Sequence, residues 1–188
     1  MIPDLYTNGH LPVGRYRCSL SELHDAFVKH EMFAESTTRE RLFTGLLRYI
    51  EAWELAEEGV GGRPVLRHLW VAGSFVSAAV DPDDVDVSPI VDGEVLDELV
   101  GCPGVGRVKR LFERRDRVVR EFGVEPFRII WRPVLSLDDN RVTPPERDYL
   151  VANGRYDDLW QRVRAQPEKG AFAVEDCGAR RGYLEVTW

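Results

Sequence analysis

The stretch from Leu66 to Val87, LRHLWVAGSFVSAAVDPDDVDV, constrains this chain more than any other. A short apolar strand runs into Gly73-Ser74-Phe75, a turn-rich segment follows, and the chain re-enters with Asp84-Val85-Asp86-Val87, where acidic and β-branched residues alternate. Side chains two apart on a strand point to the same face, so Asp84 and Asp86 stand side by side with Val85 and Val87 buried behind them. Two ionised carboxylates that close repel, and a hard divalent cation such as Mg²⁺ or Mn²⁺ relieves the repulsion by taking their oxygens. Gly73 lets the backbone approach a ligand closely. The N–H groups and the Ser74 hydroxyl beyond it suit phosphate oxygens, above all where a helix begins.

The rest of the chain supports a globular α/β fold. The hydrophobic content of 44% is ordinary for a chain that buries a sizeable core. A net charge of −7 argues against coating nucleic acid through the overall field. Cys18, Cys102 and Cys177 are far apart and lack the C-x₂-C spacing of zinc sites, so they read as reduced thiols. No N-terminal basic region leads into an apolar stretch and no run of 18 apolar residues occurs, so neither a signal peptide nor a membrane span is expected, and the expectation is a cytoplasmic protein with no membrane partner.

Residues 1–17, rich in Pro, Gly and Asn, read as an irregular arm. Ser19 with Glu22 is a capping box that opens a helix carrying Leu20, Leu23 and Phe27. A second box, Thr37 with Glu40, opens a longer helix with Leu42, Phe43, Leu46, Leu47, Ile50 and Trp53 at helical spacing and Gly59 beyond its end. His68 and Trp70 share one face of the strand that follows, and His68 reads as a packed or partly exposed residue rather than a catalytic one. Residues 92–100 suggest a short helix, and another is expected to run to Phe122. Its span from Arg107 to Arg120 carries seven basic residues against Glu113 and Asp116, a face suited to solvent, to a polyanion such as RNA, or to an acidic partner. Phe127 to Val134 reads as a buried strand. From Pro144 the chain is helix-compatible around Glu146–Ala152 and Tyr156–Arg164, and Ala171–Glu175 and Tyr183–Trp188 suit edge strands or a terminal extension.

Gly73-Ser74, a spacer and Asp84-x-Asp86 resemble the signature of the polymerase-β-like nucleotidyltransferase superfamily, in which the serine segment holds a triphosphate and the two aspartates bind catalytic metals. The likeness extends to Leu11-Pro12-Val13-Gly14, Thr38-Arg39-Glu40-Arg41-Leu42, Gly73-Ser74-Phe75-Val76-Ser77, Pro82-Asp83-Asp84-Val85-Asp86-Val87, and Trp160-Gln161-Arg162 with Lys169-Gly170. These resemble a small bacterial nucleotidyltransferase-like family of largely unknown function. The superfamily usually places a third acid on a neighbouring strand. Here Glu125 is the candidate, set against its being a loop acid ahead of Pro126.

The resemblance implies an α/β nucleotidyltransferase fold: a small mixed sheet flanked by helices, with an N-terminal helical extension. One domain over 1–188 is expected, with a helical part at 1–60, a core at 65–135 carrying the GS and DxD motifs, and C-terminal helices and an edge strand at 136–188. The implied activity is metal-dependent transfer of a nucleoside monophosphate from an NTP to an acceptor hydroxyl, in a toxin–antitoxin or defence setting. Asp84, Asp86 and Glu125 would bind metal and act in catalysis, while Gly73 and Ser74 would hold the nucleotide phosphates; Lys169, ahead of Gly170, is either a further phosphate-binding point charge or a solvated turn lysine. The acceptor is left open between RNA or tRNA, protein and a small molecule. The alternative function is a non-catalytic module of the same fold that binds nucleotide or protein.

Overall fold

The apolar run Leu66–Ala72 and the alternating run from Val85 form the antiparallel centre of a mixed sheet, described here from a computed structural model that covers residues 1–136, 138, 140–163 and 178–188. In chain order the elements are β1 (Gly14–Ser19), α1 (Leu20–Phe27), α2 (Arg39–Glu58), β2 (Leu66–Ala72), β3 (Val85–Asp92), α3 (Gly93–Glu98), α4 (Val105–Glu113), α5 (Arg115–Phe122), β4 (Val124–Pro126), β5 (Ile129–Trp131), α6 (Pro144–Trp160) and β6 (Gly182–Thr187), with a 3₁₀ turn at Glu31–Phe33. The described strands form one six-stranded sheet in the order β1-β6-β2-β3-β4, with β5 also beside β3. β1 runs parallel to β6, and β4 and β5 run parallel to β3, while β2 is antiparallel to both of its neighbours.

Register sorts the side chains. Val71 lies opposite Val87 and Ala72 opposite Asp86, so β3 turns Val85, Val87 and Val91 to one face and Asp86, Ser88 and Ile90 to the other. The first face packs on α1, α2, α4 and α5 through Leu23, Leu46, Trp53, Val108 and Phe122. The second is partly covered by α6, whose Trp160 packs with Trp70, Ile90, Ile129 and Tyr183. Its indole N–H donates to Ser88 Oγ at 2.9 Å, which gives a buried donor its partner. Cys18 lies in the first core, and burial pushes its thiol up to about 12.

Several expectations are corrected. The N-terminal arm and helical pair contain a strand, β1, because Cys18 and its neighbours add to the edge of β6. The Ser19–Glu22 capping box forms, but the Thr37–Glu40 box does not. The Thr37 N–H and hydroxyl donate instead to Asp81 Oδ1, and Ser36 Oγ accepts from the N–H groups of Thr38 and Arg39. The helix expected to reach Phe122 breaks at Arg114 into α4 and α5. Phe112 and Val118 are six residues apart, which at 3.6 residues per turn lies roughly 120° off a common stripe, and the break brings both into the core. The strand expected at Phe127–Val134 begins earlier and divides into β4 and β5.

At the C-terminal end, the two helical stretches are one helix, α6, running through Gly154. β6 is an interior strand rather than an edge, since Tyr183, Leu184, Glu185 and Val186 are all buried between β1 and β2. Burial on both faces is the pattern of a strand with neighbours on each side. Ala171–Glu175, Lys169 and Cys177 lie outside the described residues.

Candidate functional site

Helix α5 ends at Gly123, whose positive φ of 68° turns the chain directly into β4. The Gly123 carbonyl accepts from Val85 N–H at 2.9 Å, which fixes β4 beside the start of β3. Glu125 is therefore a strand residue, paired in parallel register with Asp86. Neighbouring strands lie about 4.8 Å apart, and paired residues share a face. Asp84, half-buried, lies just ahead of β3.

The three carboxylates interact. The Asp86 carboxyl is pushed from its ordinary 3.8 up to about 7, first by burial, then by the charges of Asp84 and Glu125, with Glu125 close enough to share a hydrogen bond; Arg181 opposes the rise. Arg115, at the start of α5, grips Glu125 with two nitrogens, Nε at 2.9 Å and Nη2 at 2.5 Å from Oε1, and its guanidinium lies over the Phe127 ring. Among the described residues no three His, Cys, Asp or Glu side chains converge closely enough to hold a metal ion as they stand. Glu125 is turned to Arg115 instead.

Gly73 closes the other side. Its φ is +76°, and a Cβ built there would overlap Asp86 Oδ2, so this position excludes side chains on both conformational and steric grounds. Its carbonyl accepts from Arg181 Nη1 at 3.3 Å. Ser74 starts a turn rather than a helix: its carbonyl accepts from the Ser77 N–H at 3.2 Å and the Ser77 hydroxyl at 2.7 Å. The backbone amides after Gly73 thus belong to a tight turn, and a helix dipole is not aimed at the carboxylates.

What holds that turn is a residue whose role the sequence reading missed. Arg39, in the first turn of α2, is 1% exposed and donates to the carbonyls of Phe27, Phe75, Ser77 and Ala79. Its guanidinium lies 3.7 Å from the centre of the Phe33 ring, and burial lowers it to about 10, Asp81 opposing, which leaves it cationic at neutral pH. Asp81 anchors the far end of the same loop through Thr37. A signal was present: Arg39 lies three and four residues before Leu42 and Phe43, on the apolar stripe of α2, where a charge needs several buried acceptors.

His68 is placed elsewhere, 3.8 Å from Glu185 on β6, as a partly buried member of a separate charged cluster. Lys169 is outside the described residues, so the structure brings together Gly73, Ser74, Asp84, Asp86 and Glu125 of the six residues singled out.

The fold and this cluster define a mixed α/β protein with an acidic centre at one end of its central strand pair. By sequence the chain belongs to a family of unknown function, DUF6932, whose family model matches residues 3–175. No curated protein and no solved structure matches it. No helix among the described residues is long and apolar enough to cross a membrane.

Proposed function

We propose that the chain is a metal-dependent nucleotidyltransferase with a polymerase-β-like fold, moving a nucleoside monophosphate from an NTP to an acceptor hydroxyl on RNA or protein. The observation that carries this reading is the registered pair Asp86 and Glu125 on parallel strands, with Asp84 two residues from the first. The donor set fits a hard cation. It consists of carboxylate oxygens alone, and an Asp86 carboxyl raised by two neighbouring acids gains most from a positive charge between them. Asp84, Asp86 and, once released from Arg115, Glu125 would hold Mg²⁺ or Mn²⁺. Such an ion, when bound, neutralises triphosphate charge and lowers the pKa of the acceptor hydroxyl.

The chain's own residues supply position. Gly73 lets a phosphate approach the backbone, the Ser74 hydroxyl donates to a β- or γ-phosphate oxygen, and Arg39 keeps the turn from rearranging. Arg181, at the Gly73 carbonyl, balances phosphate charge. The acceptor hydroxyl oxygen attacks the α-phosphorus and gives up its proton to solvent, the bond from that phosphorus to the α–β bridging oxygen breaks, and pyrophosphate leaves with that oxygen.

The grip of Arg115 on Glu125 favours a second reading, a nucleotide-binding module without turnover. Glu125→Gln distinguishes the two. In an enzyme, NTP affinity by calorimetry stays within a few-fold while pyrophosphate release with Mg²⁺ and cellular RNA or protein as acceptor collapses. Metal-dependent NTP binding by the parent protein without pyrophosphate release from any NTP selects the binding module. Absence of both binding and release rejects the nucleotide reading altogether.

A further inference from the structure

The helical layer on the opposite face of the sheet carries a second feature. Helices α2, α4 and α5 enclose a depression of about 300 Å³. Its floor is apolar, formed by Ala52, Leu55, Leu111 and Val118, and Leu55 is 58% exposed there. Its rim is basic: Arg107, Arg110 and Arg117 are all exposed. Among the described residues the acid on this rim is Glu121, paired with Arg117 at 3.2 Å. The depression does not end at these walls. A hollow past Gly104 shares Arg107 and Arg110 with it, and another, bearing Arg41, Arg48 and Arg120 beside Glu40, shares Glu121 and Phe122.

We propose that this groove docks an acidic peptide segment of a partner protein, one that carries a large apolar side chain flanked by Asp or Glu. Three features select that occupant. The apolar floor rewards a buried aliphatic or aromatic side chain, and Leu55 is otherwise an aliphatic side chain left in water. The arginine rim complements carboxylates, in a protein whose net charge is −7. The two hollows that share its lining residues extend the surface beyond what a small molecule covers, which suits a peptide segment.

RNA fits this surface poorly. The break at Arg114 divides the basic span and turns Arg115 away to Glu125. Among the described residues the aromatic ring that lines the depression is Phe122, which is buried and offers no face for stacking a base. The groove lies across the sheet from the carboxylates, so this inference is independent of any nucleotide chemistry.

The test pans a random-peptide phage library on the full chain, then measures the winning synthetic peptide by fluorescence polarisation against the parent, Leu55→Glu, and Arg107→Glu combined with Arg110→Glu. All these positions are exposed, and circular dichroism checks that each variant remains folded. The expected winners combine Leu, Phe or Trp with Asp or Glu, and bind each variant at least about tenfold more weakly. A version with lysines in place of the acids should not bind. Winners without acids, or equal binding to parent and variants, overturn the proposal. So does labelled poly(U) that binds the parent and Leu55→Glu alike while no acidic peptide binds.

Discussion

Asp86 and Glu185 occupy the same face of one sheet, and their surroundings treat them in opposite ways. Glu185 on β6 is 7% exposed, yet Arg17 Nε donates to it at 2.9 Å, Arg15 lies at 3.3 Å and His68 at 3.8 Å. Burial would raise its carboxyl, but the Arg17 hydrogen bond, His68 and Arg15 outweigh that and hold it below its ordinary value. Asp86 is raised by burial and by two like charges, with Arg181 as the opposing cation. A buried carboxylate surrounded by cations is part of the scaffold. One pressed against other carboxylates is held in a costly state that a positive charge between them would relieve.

The strongest probe of this contrast is Gly73→Ala. A methyl group at φ +76° that also overlaps Asp86 Oδ2 should destabilise the protein by about 3–5 kcal/mol in urea unfolding. Adding Asp86→Ala to the same chain should restore the steric share and leave the backbone strain, about 1 kcal/mol. If the double variant is no more stable than Gly73→Ala, Asp86 does not press on this glycine.

Next in size is Asp86→Asn, which should stabilise the metal-free protein at pH 8 by about 1–3 kcal/mol. The sign follows from the raised carboxyl. Asp86 binds its proton more tightly folded than unfolded, so the parent's stability is full below the unfolded value near 3.8 and falls as the pH rises through about 7. The advantage of asparagine should therefore vanish below pH 4, and thermal melts from pH 4 to 8 read it directly. An advantage independent of pH would mean that shape, not charge, separates the two side chains.

The smallest effect belongs to Glu185→Gln, with the opposite sign. Loss of about 1–2 kcal/mol is expected at pH 7, because Arg15 and Arg17 retain partial access to water when their partner is neutralised. The Glu185 carboxyl is depressed, so its contribution is present above the unfolded value and disappears as the pH falls through the folded one. Parent and variant should converge in acid. Equal stabilities at neutral pH would show that the arginines are as well served by solvent.

The alternation Asp84-Val85-Asp86-Val87 made the strand and its two faces readable, and the glycine ahead of it marked the close approach that Asp86 makes. The Ser19–Glu22 box, the α2 stripe and the glycine at its end were equally local, since each depends on hydrogen bonds or spacing within one turn. Glu125 was nameable but not placeable. Whether it was a loop acid or a strand residue depended on Gly123 bonding to Val85, a contact across 38 residues that no window of sequence contains.

Long-range partners decided the remainder. Thr37 was drawn from Glu40 by Asp81, and Tyr183–Val186 became interior strand because β1 arrived from the other end of the chain to cover it. Arg39 had its signal in the apolar stripe, but four of its acceptors come from backbone carbonyls, which carry no residue identity for a sequence to reveal. Periodicity and capping are properties of neighbours along the chain. Which strand lies beside which, and so whether a carboxylate meets arginines or other carboxylates, is fixed by contacts between residues far apart, and these exist only once the chain has folded.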